Sequence, residues 1–228
     1  MRLFRFAAFA AVCIMLAGCA SSSTDLAQGV PINWSAERGK RIVLIDPDVE
    51  LSELTIGGML EARADWTATG KNFIKAGIAG EMSKKSVDVV AGGEVTEARE
   101  VQILKLHSAV GASIMLNSLM GLPTKKNNFD WTLGPGVTAL RDRYQGDYAL
   151  FVYIRDSYSS GSRMALKLVG AAFGVGISGG QQVGFASLVD LRTGRVVWFN
   201  RIASSSGSLL SERPAAATVN RLLTELPL

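Results

Sequence analysis

The chain has 228 residues, 48% of them hydrophobic and 19% charged, which is enough apolar side chain for a sizeable core and argues against a disordered or fibrous protein. Its formal net charge is +4, but Arg2 and Arg5 sit at the head of an apolar leader, and the remainder carries 22 basic against 20 acidic residues. That balance is too even for a nucleic-acid binder driven by bulk charge. The two cysteines, Cys13 and Cys19, lie within or at the end of the leader, so no disulfide is expected in the mature domain.

Arg2 and Arg5 precede an uncharged run from Phe6 to Leu16, whose eleven residues suit a signal peptide and are too few to span a bilayer. The run closes on Leu16-Ala17-Gly18-Cys19, which resembles the bacterial lipobox. The resemblance implies that the thiol of Cys19 takes a diacylglyceryl group before residues 1–18 are cleaved, and that the freed amine gains a further acyl chain. Each buried methylene adds about 0.8 kcal/mol of membrane affinity, so several chains anchor almost permanently. Ala20 follows the cysteine in place of the aspartate that marks inner-membrane retention, so the expected location is the outer membrane, facing the periplasm. The polar stretch Ala20 to Gly29 lacks periodicity and reads as a flexible tether within a linker over residues 19–38.

A single domain is expected over residues 39–228. Arg41 to Ile45 is a β-branched apolar run suited to a strand buried on both faces, and Glu53 to Arg63 is a weaker strand interrupted by Gly57-Gly58. Ile74, Ile78 and Met82 recur every four residues on a helix beginning near Thr67 or Thr69 and ending at Lys85, although Gly70, Gly77 and Gly80 weaken it. Ser86 to Ala91 alternates like a strand. A second helix, Glu97 to Leu119, gathers Val101, Leu104, Ser108, Met115 and Leu119 on one face. Gly134-Pro135-Gly136 turns the chain into a short helix ending at Tyr144. Asp147 to Ser157 is apolar on both faces and predicts a central strand. Val183 to Leu191 and Arg195 to Ile202 form an antiparallel pair around Arg192-Thr193-Gly194. A closing helix has Pro214 in its first turn, Val219, Leu222, Leu223 and Leu226 on one face, and Pro227 as its stop.

The segment Leu188-Val189-Asp190-Leu191-Arg192-Thr193-Gly194-Arg195-Val196-Val197-Trp198 resembles a hairpin of periplasmic lipoproteins in the group of the curli secretion channel, the penicillin-binding-protein activator and the TolB N-terminal domain. The resemblance implies an α/β fold with a mixed central sheet sandwiched by helices, an outer-membrane lipoprotein, and work by protein contact.

Candidate chemistry is sparse. Gly174 to Gly179 spells G-x-G-x-x-G but is followed by a strand, which argues against a dinucleotide site, and no cofactor is expected. Asp46, Asp48 and Glu50 would share one face of an extended chain and could hold a hard cation, though a solvated acidic loop is the simpler reading. His107 is the only histidine, so a catalytic triad would depend on it alone, and a packed or surface residue is expected. Trp66, Trp131 and Trp198 could build a carbohydrate platform or, more simply, belong to core and rim. Residues 163–180 are too apolar for a surface connection. At a period of two they would make a membrane-inserting hairpin and a pore-forming subunit. At a period of 3.6 they make a short helix from Ser162 to Phe173 and a glycine loop, with Leu166, Val169, Phe173 and Ile177 as a partner-docking stripe. The helical reading is favoured, since Lys167 would interrupt a lipid-facing hairpin. The sequence therefore predicts a lipid-anchored, non-enzymatic module that binds an envelope protein or assembles with itself, without nucleic acid. A cell-wall or metal-dependent hydrolase on the Asp46 cluster is the alternative.

Overall fold

A computed structural model describes residues 20–26, 40–85, 87–125, 128–205 and 208–228. The leader and Cys19 lie outside the described residues. The fold is α/β, a mixed eight-stranded sheet with helices on both faces, as expected. Its strands are β1 (Ala20–Leu26), β2 (Arg41–Leu44), β3 (Asp48–Leu54), β4 (Leu60–Ala62), β5 (Asp88–Ala91), β6 (Tyr148–Ser159), β7 (Gln182–Asp190) and β8 (Val196–Ser204). The α-helices are α1 (Ala64–Ser83), α2 (Ala98–Met120), α3 (Thr138–Tyr144), α4 (Gly161–Ala172) and α5 (Glu212–Leu222).

The organising strand is β6. Leu150, Val152 and Ile154 enter one core and Ala149 and Phe151 the other, the two-sided burial its sequence predicts. It is long enough to pair in parallel with β2 along its first part, Ile42 opposite Tyr148, and with β3 along its second, Leu51 opposite Asp156. β7 lies antiparallel on its other side, followed by β8 and then β1. Gly194, at φ +77°, closes the turn between β7 and β8, where any Cβ would strike the backbone of Gly134.

On one face, Ile74, Ile78 and Met82 of α1 and Val219 and Leu222 of α5 pack on the sheet around the fully buried Trp198. Gly70 and Gly77, which weaken α1 by propensity, sit where it touches Leu51 and Leu209 and where it crosses Val219. Their backbone cost is offset by that close approach. α1 begins at Ala64, earlier than expected. Thr67 is not its cap; its hydroxyl instead accepts from Leu51 N at 2.9 Å, tying the helix to β3. On the other face α2 presents Glu100, Ile103, His107, Gly111 and Ile114 to the sheet. This corrects the face expected from Val101, Leu104, Ser108 and Met115 by one residue, about 100° of rotation. His107, expected as a packed or surface residue, is packed, and it and the side-chain-free Gly111 are the positions that fit against Phe151 and Phe185.

Two further readings change. Glu53 to Arg63 is a tight hairpin of β3 and β4, with Gly57-Gly58 as its turn. Residues 20–26, expected as tether, form β1, with Ala20 opposite Ser204 and Leu26 opposite Trp198. A backbone ladder needs no apolar side chains, so composition did not reveal it.

Candidate functional site

The strands give the sheet two distinct ends. Along one row of the ladder Ala20 faces Ser204, Ser204 faces Gln182, Gln182 faces Asp156, and Asp156 faces Leu51. Just past this row β3 turns into β4 and β6 runs out to Ser159 and α4. At the opposite end Arg41 pairs with Asp88 at 2.7 Å and donates its backbone N–H to Asp147 at 3.1 Å, and Arg143 pairs with the buried Glu100 at 3.1 Å. One end is charged and paired. The end at which Ala20 lies carries the Glu53–Arg63–Asp65 ion pairs on the β3–β4 hairpin and, beyond them, an open apolar surface.

α4 builds most of that open end. Ser160 caps it by accepting from Arg163 N at 3.2 Å. Its sidedness is inverted relative to a soluble amphipathic helix. The cation Arg163 is only 8% exposed and points into the domain, donating to Ser178 O at 3.1 Å, Thr55 O at 3.2 Å and Ile56 O at 3.3 Å. That one side chain ties the helix to the glycine loop after it and to the β3–β4 turn. Lys167 is half-buried beside Gly179. Outward stand Met164, Leu168 and Val169, with Leu168 75% exposed, and Phe173 just beyond the helix is 81% exposed. Ile56, Met59 and Leu60 on the adjoining turn are also exposed.

The docking stripe expected from Leu166, Val169, Phe173 and Ile177 is therefore partly rearranged. Leu166, Val169 and Phe173 face solvent, whereas Ile177 is half-buried and folds back on Gly170, whose missing side chain leaves room for it. Residues 161–172 are a helix, so the two-residue periodicity of a membrane hairpin is not realised there. Met164 and Leu168 were missed because the stripe was drawn toward Leu166 and Ile177, round the helix from them, and Met59 because it belongs to the distant β3–β4 turn.

Behind α4 lies a cleft of about 340 Å³ lined by Asp156, Tyr158, Met164, Lys167 and Gln182. Its acidic floor is already occupied by hydrogen bonds. Asp156 Oδ2 accepts from Tyr158 OH at 2.5 Å, Gln182 Nε2 at 3.1 Å and Leu209 N at 3.2 Å, while Thr218 donates to Gln182 at 3.0 Å. Burial raises the Asp156 carboxyl above its ordinary range, and burial beside Asp156 raises the Tyr158 phenol. The arrangement pins the segment leading to α5 across the sheet end.

The other candidates separate. Asp46 turns to α1, where it pairs with Lys71 and Lys75 at 2.5 Å each, whereas Asp48 turns to the α2 side and pairs with Arg155 at 2.8 Å. Glu50 is exposed. The irregular step between β2 and β3, at Pro47, breaks the alternation that would have aligned the three carboxylates, and no metal-holding cluster occurs among the described residues. His107 is 2% exposed, stacked on Phe151 at 4.6 Å, with Nε2 2.8 Å from Ser187 Oγ. Burial depresses its pKa to about 3, so it is a neutral core group sealed from substrate. Trp66 lies edge-on to Tyr158, Trp131 packs on the opposite face under Lys125, and Trp198 is in the core, so no platform forms.

No family model matches the chain, and no curated protein does. Among solved structures, the PelC dodecamer from Paraburkholderia phytofirmans aligns with 90% of this chain and 96% of its own, with a TM-score of 0.41 and 11% identity. A second PelC dodecamer structure from the same organism aligns over the same shares at 0.41 and 10% identity. Likeness of this degree says nothing of function.

Proposed function

We propose that this chain is an acylated outer-membrane lipoprotein whose periplasmic α/β domain works by contact rather than by turnover, as a binding or assembly module of the cell envelope. The observation that carries this reading is the open apolar end of the sheet beside Ala20, the residue that follows the lipobox cysteine. A domain free in water would gain by covering Leu168 and Phe173; one held at an envelope surface has a use for them. The lipobox-like tetrad and the resemblance of the β7–β8 hairpin to periplasmic lipoproteins lend further support. The buried ionisable groups described above are spent on internal hydrogen bonds.

Replacing Cys19 by Ser is expected to leave a precursor that retains its leader, because a hydroxyl is far less nucleophilic than a thiolate. Mature-sized Cys19→Ser protein in the outer-membrane fraction would show that the anchor reading is wrong. Crosslinking in intact envelopes is expected to trap the acylated protein in a complex of defined mass. Turnover of a wall fragment by the purified protein would replace the contact reading with the hydrolase one.

A further inference from the structure

An acyl anchor supplies affinity but no orientation, and the strand register supplies the orientation. Ala20 is placed by its pairing with Ser204, three strands from Asp156, a lateral distance of about 14 Å. Cys19 immediately precedes it, so acyl chains on that cysteine enter the membrane next to the end of the sheet from which α4 and the β3–β4 turn emerge. α2 runs toward the same end: its first turn reaches Arg143 through Glu100, and Gly111 lies farther along, on Phe185. Its last turns leave Leu116, Met120 and Leu119 uncovered, Leu119 at 81% exposure. Three separate segments thus bring exposed apolar side chains to the end that carries the anchor.

Resting on the lipoprotein reading above, we infer that this end of the domain is seated in the bilayer that holds its own acyl chains, with α4 lying at headgroup depth and the strands pointing at the membrane. The charge distribution fits a lipid surface. Ser157 to Gln181 contains no acidic residue, and Thr55 to Leu60 contains no charge at all. Lys167, midway along α4, is half-buried with its ammonium against Gly179, so the outward face of the helix carries no charge of its own and the cation stands behind it. Met164, Leu168, Val169 and Phe173 make the apolar face that an interfacial helix buries about 5–10 Å deep. With no free residues between Cys19 and Ala20, the gap between domain and bilayer is too small to admit a folded protein. Lipid is therefore the occupant of this end, and protein partners are left to the flanks and to the charged far end.

The test uses the acylated full-length product in vesicles of phosphatidylethanolamine and phosphatidylglycerol. Single cysteines replacing Met59, Val169, Phe173 or, at the far end, Arg192 carry an environment-sensitive dye, and brominated lipids act as quencher. Cys13 leaves with the leader and the Cys19 thiol is blocked by acylation, so the introduced thiol alone is labelled. Quenching at positions 59, 169 and 173 is expected to be at least about threefold that at 192, as seating at headgroup depth demands. In a Leu168→Asp/Phe173→Asp background, both sites being exposed, quenching at 59 should fall to the level at 192 while the protein stays vesicle-bound. Equal quenching at all four positions in protein shown by mass spectrometry to be acylated overturns the seating alone. An unmodified Cys19 overturns the lipoprotein reading and the seating with it. Crosslinks in cells from 169 and 173 to a protein, in place of lipid, would assign this end to a protein partner and refute the inference.

Discussion

His107 shows how one buried residue sets a pH limit on the whole fold. Its ring is neutral in the folded protein because burial pushes its pKa to about 3, whereas an unfolded chain returns it to about 6.5. Below pH 6.5 the unfolded state therefore binds a proton that the folded state refuses, so stability present at neutral pH is lost as pH falls from about 6.5 toward 3, by up to about 1.4 kcal/mol per pH unit. Urea midpoints measured between pH 7 and 4.5 should fall more steeply for the native chain than for a His107→Leu/Ser187→Ala variant, which removes the titrating ring together with its buried hydroxyl partner. Parallel slopes for the two proteins would mean that another group governs acid unfolding. The sequence made His107 legible as a solitary histidine inside a helix. Its depth was not legible, because nothing local shows that Phe151 and Phe185, far along the chain, stack around it.

At the level of elements, α2 meets β7 in a close joint at Gly111. A Cβ built on Gly111 would stand 2.1 Å from a ring carbon of Phe185, itself stacked on Tyr153 and Phe199, so the ring has no free direction in which to yield. Gly111→Ala is expected to destabilise the domain by about 1–3 kcal/mol despite alanine's better helix propensity. Chemical denaturation checks this, and a stabilised variant would show that helix and strand are less closely apposed. The same joint explains what sequence could and could not supply. β6, β7, β8, α1 and α5 were legible because each has strong periodicity or a two-sided apolar run. The face of α2 was not, since three of its five buried positions are a glycine, a histidine and a glutamate that fit by shape and partner rather than by hydrophobicity. The open end was half legible: the excess of apolar residues in 163–180 stood out, but the inward turn of Arg163 depends on carbonyls of the distant β3–β4 turn.

For the molecule as a whole, the proposed seating turns on the relation between the proposed anchor and the sheet. Backbone pairing of β1 with β8 predicts slow hydrogen exchange at alternate amides within residues 20–26, readable by mass spectrometry or NMR against the fast exchange of an untied linker. Uniformly fast exchange there would return the stretch to a tether. Paired in this way, β1 is stored length. Its seven residues, if released, would extend to about 23 Å, enough under the proposed anchorage for the domain to stand well clear of the bilayer. On the proposed anchorage, a partner drawing the domain away from the membrane would pull on Ala20 roughly along the strand axis. That load falls on the whole β1–β8 ladder in shear, not on one hydrogen bond at a time as in unzipping. The protein would thus hold its distance under small tension and lengthen abruptly at a threshold, and under the proposed anchorage its reach would be a mechanical property of seven residues at the edge of the sheet.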